Sequence, residues 1–112
     1  MPENIEEPQA FLPSKCLMQS GIACLDHKAT ANSLAFVVAN SLGFDISIDG
    51  VKAQQCTALR SQGTLMNGAQ ATYTLSCNNE GSRYGGQINL TYTIIETGIQ
   101  HVNRGQISTK LE

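Results

Sequence analysis

Leu34-Ala35-Phe36-Val37-Val38-Ala39-Asn40-Ser41-Leu42-Gly43-Phe44-Asp45-Ile46-Ser47-Ile48-Asp49 is the stretch whose reading decides the fold. Leu34, Phe36 and Val38 recur at every second position, as do Phe44, Ile46 and Ile48. Asp45, Ser47 and Asp49 occupy the alternate positions of the second run. A period of two places successive side chains on opposite faces of a pleated strand, so each run predicts a strand with one buried and one wet face. Between the runs, Asn40-Ser41-Leu42-Gly43 has turn chemistry, because Asn and Gly tolerate the left-handed backbone that turns require. The expectation is a central hairpin with Leu34, Phe36, Val38, Phe44, Ile46 and Ile48 facing the core.

The flanks carry the same pattern. Upstream, Ser14 to Cys24 reads as a disulfide-closed loop entering a strand from Ala23 to Ala29, where Cys24, Asp26 and Lys28 oppose Leu25, His27 and Ala29. Thr30 to Ser33 is a turn. Downstream, Asp49-Gly50 is a strong turn signal, followed by a third stretch from Val51 to Cys56 with Val51 and Ala53 inward. Thr57 to Arg60 reads as a helical turn or a loop, and Met66-Asn67-Gly68 as a turn.

Gly68 to Cys77 is the cleanest alternation, with Ala69, Ala71, Tyr73, Leu75 and Cys77 on one face. Tyr84-Gly85-Gly86 predicts a bend or bulge. Gln87 to Glu96 is a strand with Ile88, Leu90, Tyr92 and Ile94 inward. Ile99 to Lys110 is a last strand, broken near Arg104-Gly105, with Val102 and Ile107 as core contacts. No stretch has a capped helical period and no internal repeat is visible. The expected fold is all-β: an antiparallel immunoglobulin-like β-sandwich of about seven strands.

With 112 residues the chain is long enough for one domain. Residues 1–13 are acidic and proline-marked and read as a linker or stalk remnant, residues 14–110 as the β-sandwich head domain, and residues 111–112 as a cloning scar. The net charge is −2 and only 14% of residues are charged, without a cluster of Lys and Arg, so a nucleic-acid partner is not expected. No apolar run is long enough to span a bilayer.

Four cysteines, Cys16, Cys24, Cys56 and Cys77, lack the spacing of a zinc knuckle and read as two disulfides. Of three possible connectivities, Cys16–Cys24 and Cys56–Cys77 each close a local β excursion. In the chain-entropy model each contributes about 2–4 kcal/mol. Such usage points to an extracellular or cell-surface setting.

No catalytic constellation is visible. His27 and His101 sit among strands without a nucleophile elbow or a Cys-His-Asn context, and no pair of acids flanks a cleft. Asp45, Asp49 and Asn40 offer too few oxygens for calcium and read as a solvated face. The chain is therefore expected to be non-enzymatic, without metal or cofactor. Asn89-Leu90-Thr91 is an N-glycosylation sequon on an outward position. Phe11, Leu12 and Met18 form a candidate apolar docking patch near the start of the domain, and Tyr84 is the one tyrosine free to serve as an exposed aromatic.

Cys16, the run Gly21-Ile22-Ala23-Cys24-Leu25-Asp26, the stretch from Leu34 to Ile48, Cys56, and the closing Gly98-Ile99-Gln100-His101-Val102-Asn103-Arg104-Gly105-Gln106-Ile107 together resemble the globular head of archaeal type IV pilin-like proteins. The resemblance covers most of Cys16 to Lys110. It implies a cleaved signal continuous with a long hydrophobic helix ahead of this segment, and helices of identical or related subunits packed into a filament core. Membrane contact would come only through that helix. The head would coat the filament and adhere to a surface or glycan target. The competing expectation is a small ligand- or carbohydrate-binding β-sandwich module of a secreted protein.

Overall fold

The two runs that open the reading are strands, but they do not form a hairpin. In the computed structural model, which describes residues 14–112, the strands in chain order are β1 (Lys15–Met18), β2 (Ile22–Ala29), β3 (Ser33–Asn40), β4 (Ile46–Ala53), β5 (Gly63–Leu65), β6 (Gln70–Ser76), β7 (Arg83–Ile94) and β8 (Ile99–Lys110). All pairings between them are antiparallel. They make a five-stranded sheet in the order β1-β8-β7-β4-β5 and a three-stranded sheet in the order β2-β3-β6. None of the described residues is helical. The all-β antiparallel expectation therefore holds, with eight strands rather than about seven.

β3 lies in the smaller sheet and β4 in the larger one. A hairpin would set both apolar rows on one face of one sheet. Crossing between sheets instead sends Leu34, Phe36 and Val38 from one side, and Ile46 and Ile48 from the other, into one core with Leu75, Ile88, Leu90 and Ile107. Phe44 was expected inward, but β4 begins only at Ile46, so Phe44 stays in the crossing loop with 43% of its surface exposed.

Asn40 holds this crossing. Its side chain is wholly buried, and its Nδ2 donates to the carbonyls of Phe44 (2.7 Å) and Leu65 (3.0 Å), while its Oδ1 accepts from the Leu42 N–H (3.0 Å). One amide thus reaches three backbone groups around the crossing.

Other turn signals resolve differently. Asp49-Gly50 is no turn: β4 runs through it, with a β-bulge between Ile48 and Gly50 opposite β7. Tyr84-Gly85-Gly86 is not a bend but the start of β7, whose pairing with β8 is unbroken from Arg83 to Ile94. β8 is also continuous through Arg104-Gly105. In an unbroken strand Val102 and Ile107 have opposite parity and cannot share a face. Ile107 is buried; Val102 is exposed, and Asn103 takes the inward position instead. Thr57 to Arg60 forms no helical turn; Leu59 makes an isolated bridge with Val51. Residues 111–112, set aside from the fold on sequence grounds, extend it: Leu111 pairs with Ala29, and the Glu112 N–H donates to the Ala29 carbonyl at 2.8 Å.

Both expected disulfides are present, Cys16–Cys24 and Cys56–Cys77. Each joins the two sheets. Cys16 is in β1 and Cys24 in β2; Cys56 follows β4 and Cys77 follows β6.

Candidate interaction surface

The surface nearest the start of the domain is built on β1, an edge strand of four residues. β1 lies against β8 with Met18 opposite Gly105. A side chain at 105 would collide with the Leu17 carbonyl and the Met18 sulfur, so only glycine lets β1 approach so closely. Met18 is thereby half-buried against the core, while Leu17, on the other face, is 59% exposed. Leu17, Gln19, Gln87, Arg104 and Gln106 surround a shallow depression of about 340 Å³, floored by Met18 and Gly105.

The rim is fixed by Asn103. Its Oδ1 accepts from the Gln19 N–H at 3.0 Å and its Nδ2 donates to the Gln19 carbonyl at 2.9 Å. The Gln19 Oε1 in turn accepts from the Arg104 N–H at 2.9 Å. This arrangement presents an apolar side chain, three amides and one guanidinium on a rigid edge. It suits a partner that is partly apolar and partly polar.

Of the residues singled out for such a surface, Phe11 and Leu12 lie outside the described residues. Met18 is at the site but mostly as its floor. Tyr84 is not there: it is 1% exposed, and its hydroxyl donates to the Gln54 carbonyl at 2.8 Å. Burial raises its phenol pKa above 10.0. The Gly-Gly that follows Tyr84 suggested a bend or bulge, but β7 continues through it and parity turns the ring inward. Leu17, Asn103 and Gly105 were not picked out from sequence. The spacing Asn103, Gly105, Ile107 on one strand face was their signal.

The remaining candidates are structural. Asn40 is committed to its three backbone partners. The Asp45 carboxylate accepts from the Asn67 N–H at 2.8 Å, and Asp49 accepts from the Thr93 hydroxyl at 2.6 Å and the Gln100 amide at 3.1 Å. The three are fixed in separate bonds rather than gathered around one point. His101 stacks on Tyr92 across the β7–β8 pair at a centroid distance of 5.4 Å. His27 lies within 4.8 Å of the sulfurs of Cys16 and Cys24, but those sulfurs are bonded to each other.

Asn89 sits in the middle of β7 between Lys52 and Arg104. It is half-buried, and its Oδ1 has no hydrogen-bond partner among the described residues. No protein-family model matches the chain, and no characterised protein matches it in sequence.

Proposed function

We propose that this chain is a non-enzymatic structural or adhesive subunit of the cell surface, the head domain of a pilin-like filament protein that assembles with identical or related subunits. The observation that carries this reading is the edge strand β1. The first described strand, at the edge of the five-stranded sheet, is tied by Cys16–Cys24 to β2 of the other sheet and displays exposed Leu17 beside Met18. A head packed on a filament core needs an apolar contact next to the segment that leads into it, and a fold that survives oxidising, protease-rich surroundings. The carbohydrate-binding alternative loses its main support, because Tyr73, Tyr84 and Tyr92 are each less than a tenth exposed and the chain has no Trp.

The test is made on the native organism. Antibodies raised against residues 14–110 should decorate surface filaments in electron micrographs, and the native coding sequence upstream should encode a basic leader and about twenty apolar residues. Labelling confined to secreted monomer, or an upstream folded domain, would refute the filament reading.

A further inference from the structure

The three-stranded sheet has two edges, and they differ. On β2 the edge is blunted. A bulge interrupts it between Cys24 and Asp26, Asp26 and Lys28 carry charge, and Leu111 and Glu112 pair with it at Ala29. These are the usual defences of an edge strand. β6 has neither bulge nor charge, and among the described residues only its Ser76 end is covered, by the segment around Thr57. From Ala69 to Asn79 there is no charged residue and no proline, and the pairing with β3 has no bulge.

The hydrogen-bonding parity shows which groups are open. The N–H and C=O of Asn40 both point to β6, bonding Ala69 and Gly68. By alternation, Ala71, Tyr73 and Leu75 turn their peptide groups to β3, and Gln70, Thr72, Thr74 and Ser76 turn theirs outward. Ser76 confirms this, since its carbonyl accepts from the Thr57 N–H at 2.7 Å. That bond closes the edge at one end and leaves Gln70, Thr72 and Thr74 as a ladder free of partners among the described residues. Their side chains are exposed and uncharged. The first half of β8 also lacks an outer neighbour among the described residues. It is shorter, offering only Gln100 and Val102 between the Gln19 contact and the turn to β7.

We propose that the β6 edge is a homotypic pairing site, at which a second copy of this chain adds its own β6 antiparallel and joins two three-stranded sheets into one. The edge is self-complementary. With Thr72 opposite Thr72 of the second copy, Gln70 faces Thr74 and Thr74 faces Gln70. All three outward-facing peptide groups then find partners, giving about six backbone hydrogen bonds across a two-fold axis. Like charges are never opposed, because the edge has none. Thr–Thr and Thr–Gln pairs on the outer face are compatible neighbours. The proposal rests on the edge alone and does not require the filament reading.

The oxidised protein is tested by sedimentation velocity from about 10 µM to about 1 mM, the range expected for so small a contact. Amide exchange of Thr72 and Thr74 is followed by NMR over the same range. A reversible dimer is expected, with exchange at both amides slowing as concentration rises. Thr72→Pro removes only an outward N–H and leaves the β3 ladder intact. The doubly charged variant Thr72→Lys with Thr74→Lys tests the same edge should the proline disturb folding. Each should weaken the dimer at least about tenfold, whereas Asp26→Ala on β2 should leave it unchanged. A monomer at about 1 mM, a dimer in which Thr72 and Thr74 stay unprotected, or a dimer that survives both β6 changes would each overturn the proposal.

Discussion

Two of the places where the chain changes sheet are held in contrasting ways. At the β3–β4 crossing there is no covalent link, and Asn40 has every side-chain atom paired. At the β6–β7 crossing Asn79 plays the corresponding part. It donates to the carbonyls of Thr30 (2.7 Å) and Ser33 (3.4 Å), but its buried Oδ1 has no partner among the described residues. Cys77, two residues earlier, supplies the disulfide to Cys56 there. The β1–β2 crossing has both devices, Asn103 and Cys16–Cys24. A crossing exposes backbone groups to a dry interior, and a buried amide that reaches both donors and acceptors is a compact way to satisfy them. Where the amide is only partly paired, the covalent bond limits how far the corner can open.

The largest expected effect breaks this contrast at Asn40. Asn40→Asp replaces the donor aimed at two carbonyls by an acceptor, and Asn40→Ala removes all three bonds; each should cost about 3–4 kcal/mol in urea unfolding. A loss below about 1 kcal/mol would show that water replaces the amide without penalty.

Next come the disulfides. Cys56→Ser with Cys77→Ser should cost about 3.4 kcal/mol and Cys16→Ser with Cys24→Ser about 2.6 kcal/mol, since the first closes the longer loop. Hydrogen exchange after reduction sharpens the point. The Cys77 and Asn79 amides, bonded to the Asn32 and Ala31 carbonyls, should lose protection before the Asn40 amide does.

Asn79→Ala should cost only about 1–2 kcal/mol, less than the same change at Asn40, because one of its buried atoms is already unpaired.

The smallest effect concerns Tyr84→Phe, which removes the bond to Gln54 for about 1 kcal/mol. Burial raises the phenol pKa of Tyr73 and Tyr84 above 10.0, so the fold favours their neutral form. Stability should be full below about pH 10 and fall as pH rises beyond it, less steeply in Tyr84→Phe. An identical alkaline slope in the two proteins would exclude that residue.

Much of this was legible in advance, and the misses share a cause. The alternation over Leu34 to Val38 and over Ala71 to Leu75 assigned inward and outward faces correctly, and the cysteine spacing gave both bridges. Periodicity, however, says which face of a strand is dry and nothing about which strand lies opposite. Hence β3 and β4 read as a hairpin. Asp49-Gly50 and Tyr84-Gly85-Gly86 carry turn residues, yet a bulge and a strand start use the same small residues for other ends. Asn40 read as a turn residue, and Asn103 was given no role of its own. Their burial depends on backbone groups brought from 25 and 84 positions away, and local sequence holds no trace of those.

The placement of Cys16 has a mechanical consequence. It is the second residue of β1, and β1 runs antiparallel beside the end of β8. A pull on Ser14 directed away from the body would unzip that ladder one pair at a time, the weakest way to load a sheet. After Lys15 the peel reaches the sulfur bridge, and tension passes through a covalent bond into β2 and so into the opposite sheet. Anything tethered through this end would tug on both layers at once, and the domain would yield by shearing its core rather than by shedding its first strand.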